Sequence, residues 1–280
     1  MVTTPLMLLN VVITKENQRM ATNGNTRQIK YRFYATLLDA FRTYVNSDVI
    51  YEKYWGYSEE PPHTPEEFHE LKFQEFIDTV NRKPFDSEVA DRGTVFNEII
   101  DCIVEHHNSK MCKITKVNDD FGKVIGIKGV YHEREFIFPI ELVMEVANYY
   151  KGSLPQQYIQ GVLPTRFGDV LLYGYIDYVA PFCTHDLKTT GRYSVGNYKD
   201  HAQHLVYPYC LYQHGADVPM FEYNVVELNS NITRWETYTE TYNFCPERDT
   251  QILTAWVEDL IDFLETHRDL ITNKKVFNIL

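Results

Sequence analysis

Two acidic side chains and one lysine lie within a stretch of sequence that is otherwise apolar. They are Asp177, Asp186 and Lys188. The segments of strand character around them are separated by a break at Pro181, a pattern that predicts an antiparallel hairpin. Ionised side chains are costly to bury unless they are paired or hold a metal. This stretch is therefore the first candidate for chemistry.

The predicted hairpin brings the two acids together. With strands over residues 170–179 and 183–187, Asp177 lies directly opposite Asp186. Side chains alternate between the two faces of a strand, so Lys188 shares a face with Asp186. Two acids placed in this way repel each other and raise the pKa of one of them, whereas a divalent cation between them removes the repulsion. We therefore predict Mg²⁺ or Mn²⁺ between the two carboxylates, in this register only.

An ordinary ion pair is the alternative interpretation of these three residues. In that case Lys188 would only balance the charge of the acids. Two acids against one lysine leave a negative charge over, and a buried ion cluster is costly to desolvate. This surplus favours the metal site.

A second acid-x-Lys sequence shows that the motif alone is not sufficient. Glu70-Leu71-Lys72 lies in residues 65–80, whose apolar side chains recur at helical spacing. Positions two apart on a helix do not face each other. We interpret this copy as a solvated helix face.

The hairpin motifs belong to a longer ordered set. Residues 174–177 read Gly-Tyr-Ile-Asp, residues 186–188 read Asp-Leu-Lys, and Gln203 and Tyr207 follow with the spacing of one helical turn. This order resembles the PD-(D/E)XK nuclease superfamily, and within it the RecB-like and phage-type exonuclease branch. The resemblance covers roughly residues 93–212. An upstream helix that usually contributes a histidine is matched at residues 92–98, with Asn97 in the histidine position.

The resemblance implies an α/β fold, with a restriction-endonuclease-like core in which helices flank a central mixed β-sheet, and a helical N-terminal elaboration. It implies a metal-dependent nuclease that hydrolyses DNA phosphodiester bonds, an exonuclease of phage or bacterial recombination or repair. The implied catalytic residues are Lys188, Asp177, Asp186, Gln203 and Tyr207. The implied metal contacts are Asp177, Asp186, the carbonyl of Leu187, Glu98 and Asn97.

Each of these roles has a chemical reason. Mg²⁺ held by carboxylates neutralises charge on a scissile phosphate and makes a bound water nucleophilic. Lys188 would orient or activate that water, or stabilise developing charge. An amide at position 97 suits oxygen-preferring ions, so we expect little role for Zn²⁺ or Co²⁺. Asn97 and Glu98 could equally be ordinary first-turn residues of a helix over 94–107.

The loop that follows the hairpin offers hydroxyl groups, cations and tyrosines beside the predicted site. Phosphate contact and base stacking would suit these residues, although a plain connecting loop is also rich in such types. The predicted substrate-binding residues are Thr189, Thr190, Arg192, Tyr193, Tyr198 and Lys199.

Composition limits the class of protein. The net charge of −12 over 280 residues argues against a protein that coats nucleic acid, but not against a local basic channel. The five cysteines form no close pair, which favours a reducing compartment. Together with the resemblance, this implies the cytoplasm of a bacterium or of a phage-infected cell. Some RecB-like nucleases hold an iron–sulfur cluster with one N-terminal cysteine and three closely spaced C-terminal cysteines. This sequence has no such group of three, so we expect no cluster. No apolar run approaches the ~20 residues that span a bilayer, so we expect no membrane partner. The resemblance implies DNA as the partner. A homo-oligomer or a recombination-protein partner stays open.

Periodicity predicts the elements around the site. We expect one domain over residues 1–280, with an N-terminal elaboration over 1–92, a catalytic core over 93–215 and C-terminal strands and a helix over 216–280. Arg27, Lys30 and Arg32 could contact nucleic acid, or could begin an amphipathic helix. Further expected elements are a strand at 5–13, a turn at 23–26, helices at 139–150, 200–214 and from Pro246, and strands at 158–163, 220–228 and 234–242.

Two other functions are compatible with the sequence. The first is a nucleic-acid-binding module that has the nuclease fold without turnover, which Asn97 in place of histidine favours. The second is a structural or adaptor protein, which the acidic charge favours.

Overall fold

The computed structural model describes residues 28–279. The predicted strand at 5–13, the turn at 23–26 and Arg27 lie outside the described residues. Within the described part of the chain, no helix is both long and apolar enough to cross a membrane.

In the described residues, nine strands form two sheets. They are β1 (Ile29–Tyr34), β2 (Lys113–Asn118), β3 (Val124–Tyr131), β4 (Arg134–Pro139), β5 (Leu154–Thr165), β6 (Gly168–Val179), β7 (Cys183–Thr190), β8 (Met220–Leu228) and β9 (Trp235–Asn243). The larger sheet has the order β1-β6-β7-β8-β9, with β5 also paired to β6. It is mixed, because β1 runs parallel to β6 and β7 parallel to β8 while the other pairs are antiparallel. Strands β2, β3 and β4 form the smaller sheet.

Seven α-helices within residues 28–279 surround the larger sheet. They are α1 (Ala35–Val45), α2 (Ser47–Trp55), α3 (Pro65–Val80), α4 (Glu88–Glu105), α5 (Ile140–Tyr149), α6 (Gln203–Gln213) and α7 (Pro246–Thr266). A short 3₁₀ helix, Lys274–Phe277, follows. Helix α3 has the bounds that the sequence predicts, because a capping box of Thr64 and Glu67 fixes its start.

Apolar side chains form one core on each face of the larger sheet. Residues of α1, α3, α6 and α7 supply the first core together with β1, β5 and β6. The second core lies between the sheet and the layer of α4, α5 and the smaller sheet. The predicted α/β class, with helices flanking a central mixed sheet, is therefore confirmed.

The first described element differs from its prediction. Lys30 and Arg32 lie in strand β1 and do not begin a helix, which starts at Ala35. Tyr31 and Phe33 are buried with period two, and this alternation places them in the first core. The backbone of β1 pairs with β6 in parallel and thereby joins the larger sheet.

Helix α4 begins six residues before the predicted start at 94. Ser87 accepts a hydrogen bond from the amide of Ala90 and caps the helix there. Asn97 and Glu98 consequently lie in the middle of α4, so their interpretation as first-turn residues is wrong. Helix α6 starts at Gln203, three residues after the predicted start, and keeps Pro208 in its interior.

Candidate active site

The site lies where β6 and β7 separate. The two strands pair only at Tyr178–His185 and Val179–Thr184, next to the turn at Pro181. This is the predicted register. Farther along, β7 remains paired with β8, whereas β6 pairs with β1 over residues 169–173. The side chain of Asp177 occupies the resulting gap, where its Oδ2 accepts a hydrogen bond from the amide of Leu187 at 2.9 Å.

Asp186 connects the sheet to the lysine and to helix α6. Its Oδ2 lies 2.7 Å from Nζ of Lys188, and its Oδ1 accepts a hydrogen bond from Nε2 of Gln203 at 2.5 Å. The side chain of Asp186 is almost completely buried, while that of Lys188 is about one quarter exposed. The structure therefore brings both predicted acids, the lysine and the glutamine into one site.

Burial and repulsion act most strongly on Asp177. Burial raises the pKa of its carboxyl to about 8, the charge of Asp186 adds to this, and Lys188 and the amide of Leu187 oppose it only in part. Burial lowers the pKa of Lys188, but Asp186 and Asp177 outweigh it and the net shift is upward. The lysine is therefore an ammonium ion at neutral pH, and the site holds more negative charge than it can balance when both acids are ionised.

Helix α4 contributes Asn97 from the second-core side of the sheet. Nδ2 of Asn97 donates to the carbonyl of Leu187 at 3.2 Å, whereas its buried Oδ1 has no partner. The close approach requires Gly93, since a Cβ there would lie 2.8 Å from Oγ1 of Thr189. Neighbouring helix positions diverge by ~100°, and Glu98 accordingly lies beside Cys102, with Oε1 at 3.9 Å from its Sγ. The hairpin is contacted by Asn97, not by Glu98.

Helix α6 contributes Gln203 and Tyr207 from the opposite side. Both are buried, and Oε1 of Gln203 is a second buried oxygen without a partner. The ring of Tyr207 lies against Gly174, where a Cβ would come within 2.7 Å of its Cε1. The start of the helix is held by α1, because Asp39 accepts a hydrogen bond from the amide of Ala202. These contacts fix Gln203 beside Asp186.

The predicted substrate loop is built around a carboxylate of its own chain. Glu240 accepts hydrogen bonds from the amides of Gly196, Asn197 and Tyr198 and from the hydroxyl of Tyr193. These amides are therefore not available to a phosphate.

The two loop tyrosines are engaged as well. Tyr193 stacks on Tyr238 at 4.4 Å between ring centroids, and Tyr198 stacks on Tyr223 at 4.8 Å. Their predicted stacking on bases would require these internal contacts to open. Thr190 forms hydrogen bonds with the backbone of Arg192, and Thr189 lies half-buried on β7 beside α4. Arg192 and Lys199 are the exposed charges of the predicted set.

A cleft of about 600 Å³ lies between the loop and helices α1 and α2. Its lining includes the cations Arg42, Lys53 and Lys199. Tyr198 also lines the cleft, and its hydroxyl is within electrostatic reach of Lys188. The lining also includes Asp39 and Asp200, so the three cations exceed the acids by one.

Asp101 is a buried acid near the site that the sequence motifs do not single out. It accepts hydrogen bonds from the hydroxyl of Tyr178 and from Nε2 of Gln156 at 3.1 Å. Burial raises its pKa to about 6, although both hydrogen bonds oppose the shift. Its spacing of four residues from Asn97 is the signal that could have found it.

Comparisons with solved structures give distant matches. The crystal structure of SSO0001 aligns over 92% of this chain and 87% of its own, with 10% identity and a TM-score of 0.39. Rai1 from Scheffersomyces stipitis aligns over 95% of this chain and 68% of its own, with 12% identity and a TM-score of 0.30. No family model and no curated protein matches the chain. At these similarities, any functional argument rests on the site itself.

Proposed function

We propose that the protein is a metal-dependent nuclease that hydrolyses phosphodiester bonds in DNA. The observation that carries the proposal is the group formed by Asp177, Asp186 and Lys188 in the gap between β6 and β7. This group combines an acid–ammonium pair in contact with a second acid whose pKa burial raises to about 8, so both acids can be ionised at neutral pH only when a cation offsets their charge. A purely structural ion pair would not need the second acid.

The donor set fits a hard divalent cation such as Mg²⁺ or Mn²⁺. Carboxylate, carbonyl and amide oxygens are the ligands that these ions prefer. Asp177, Asp186 and the carbonyl of Leu187 would hold the ion. The unpartnered Oδ1 of Asn97 would be a further ligand if the side-chain amide flips by 180°. When bound, the ion supplies charge neutralisation and an acidified water.

Lys188 acts as a donor in this proposal. Asp186 holds Nζ at 2.7 Å, and the two acids keep the amine protonated. An ammonium ion can donate hydrogen bonds to the attacking water and to phosphate oxygens, where negative charge develops. It cannot act as a base in this form.

Gln203 and Tyr207 act as positioning residues. Gln203 fixes the orientation of the Asp186 carboxylate through the bond to Oδ1. Tyr207 packs into the space that Gly174 leaves and thereby sets the distance between α6 and β6. The cleft lined by Arg42, Lys53 and Lys199 would accept the nucleic-acid backbone. The proposal places this activity in the cytoplasm.

A DNA-binding module without turnover is the second candidate. The position of Asn97 favours it. Nδ2 of Asn97 donates a hydrogen bond to the carbonyl oxygen of Leu187, and this oxygen is one of the proposed metal ligands. Such a module would bind DNA with Ca²⁺ present and would not cleave it with Mg²⁺.

The test is a cleavage assay with end-labelled linear, circular and single-stranded DNA, and RNA of the same sequence, in Mg²⁺ or Mn²⁺. We expect the wild type to cleave DNA and Asp186→Asn to lose at least 100-fold in rate. Binding in Ca²⁺ without cleavage would support the second candidate. The absence of both DNA binding and DNA cleavage would contradict both proposals.

A further inference from the structure

A second group of metal-ligating side chains lies on the other side of β7. Cys183 and His185 are two residues apart on this strand and share a face, whereas Asp186 and Lys188 belong to the opposite face. The parallel register places Glu222 of β8 directly beside His185. Two adjacent strands thus hold a thiol, an imidazole and a carboxylate without help from any loop.

The distances between the donor atoms suit one small ion. Nδ1 of His185 lies 3.1 Å from Oε2 of Glu222 and 3.9 Å from Sγ of Cys183, and all three donors lie within 4.8 Å of one another. Tetrahedral zinc bonds of ~2.0–2.3 Å separate a sulfur and a nitrogen ligand by ~3.6 Å, and a nitrogen and an oxygen ligand by ~3.3 Å. The two separations from Nδ1 of His185 differ from these values by only a few tenths of an ångström.

The same distances exclude a nucleophilic triad. Cysteine and glutamate both approach the same nitrogen of His185. A general base that activates a thiol needs one ring nitrogen for the thiol and the other for the carboxylate. A metal site needs instead three donor atoms that face one common point, which the separations of at most 4.8 Å permit.

The surroundings provide a route to the site and a further oxygen ligand. Glu222 is capped by the hydroxyl of Tyr149 at 2.6 Å, and Tyr149 is more than half exposed. Oδ1 of Asn224 lies 3.2 Å from Nδ1 of His185. Tyr149 and Asn224 also line a cavity of about 190 Å³.

We propose that Cys183, His185 and Glu222 form a binding site for Zn²⁺ or a similar borderline-soft ion, separate from the Mg²⁺-type site. The donor types decide the metal, because sulfur and nitrogen ligands favour zinc and cobalt whereas oxygen ligands favour magnesium. A bound ion would tie β7 to β8 on the strand that carries Asp186 and Lys188.

The test is Co²⁺ titration of the full chain, followed by absorption spectroscopy, in a non-thiol reductant with Mg²⁺ in excess. We expect one Co²⁺ per chain, a thiolate-to-cobalt charge-transfer band, and displacement of Co²⁺ by Zn²⁺. Cys183→Ser should abolish the band, whereas Cys245→Ser, at an exposed thiol, should retain it. Asp186→Asn should also retain it, so this result does not depend on nuclease activity.

Two further variants keep the test decisive. Glu222→Gln has the same shape and should weaken Co²⁺ at least tenfold, with folding checked by circular dichroism. Cys102 lies 3.6 Å from Nδ1 of His107 and is the competing thiol. A band that survives in Cys183→Ser but disappears in Cys102→Ser would overturn the proposal. The absence of a thiolate band in the wild type, or unchanged Co²⁺ affinity in Glu222→Gln, would overturn it as well.

Discussion

At the scale of single residues, the environments of Asp177 and Asp186 differ although the hairpin places them opposite each other. Asp186 has the ammonium of Lys188 and the amide of Gln203. Asp177 accepts a hydrogen bond from the amide of Leu187, and burial raises its pKa to about 8 although Lys188 lies close enough to oppose the shift. The sequence predicts that repulsion raises one pKa of the pair. Which of the two acids is affected depends on the contact of Asp186 with Gln203 of α6, a tertiary contact that the sequence alone does not reveal.

The metal-free protein should become less stable with rising pH because of Asp177. Its carboxyl titrates near 3.9 when unfolded and near 8 when folded, so between these values the unfolded state releases the proton more readily and becomes favoured. In EDTA, Asp177→Asn should gain free energy of unfolding relative to wild type across this pH range, by ~1–3 kcal/mol at its upper end.

Urea denaturation at several pH values measures this difference. Asp120→Asn is the control, because Asp120 is exposed in the turn between β2 and β3 and should show no pH-dependent difference from wild type. A difference in the free energy of unfolding between Asp177→Asn and wild type that stays constant from pH 4 to pH 8 would show that folding does not raise the pKa of Asp177.

At the scale of elements, the site depends on how closely helices α4 and α6 approach the sheet. Gly93 and Gly174 permit these approaches. The hairpin register was predictable, because turn position and alternation are local properties. The gap between β6 and β7 was not, since it depends on β1 pairing with the far end of β6, and β1 reads as the start of a helix in the sequence.

Gly174→Ala should disturb the site through helix α6. The added Cβ would overlap the buried ring of Tyr207 and push the helix, and with it Gln203, away from β6. We expect a loss of ~1–3 kcal/mol in stability, typical of overpacking, together with a clear loss of cleavage. Thermal denaturation and the cleavage assay measure both effects.

Gly191→Ala is the matched control for Gly174→Ala. A Cβ at position 191 meets nothing within 4 Å, so stability and activity should stay near wild type. Equal behaviour of the two alanine variants would contradict the proposed role of Tyr207 as a positioning residue.

At the scale of the whole molecule, an acidic protein must bind a polyanion through a local cationic surface. The net charge is −12, yet Arg42, Lys53 and Lys199 line one cleft. Composition predicted the need for such a channel. Its position could not be predicted, because it is formed by α1, α2 and a loop about 150 residues later in the chain.

The combined variant Lys53→Ala and Lys199→Ala should weaken DNA binding with little dependence on sequence. Each phosphate contact that is lost should reduce the slope of log affinity against log salt by ~1. Fluorescence anisotropy in Ca²⁺ at several salt concentrations measures this slope. Lys83→Ala is the control, because Lys83 pairs with Asp78 at the end of α3 and does not line the cleft. An unchanged slope in the double variant would place the DNA elsewhere.

The most direct test of the central claim is Mg²⁺-dependent cleavage of end-labelled DNA by wild type, Lys188→Met and Lys72→Met. Both substitutions remove the lysine of an acid-x-Lys sequence and keep its apolar stem, but only Lys188 contacts Asp186, whereas Lys72 pairs with Glu75 on α3. We predict that Lys188→Met loses at least 100-fold in rate and that Lys72→Met cleaves like wild type. Cleavage by Lys188→Met at the wild-type rate would contradict the assignment of the active site to the gap between β6 and β7.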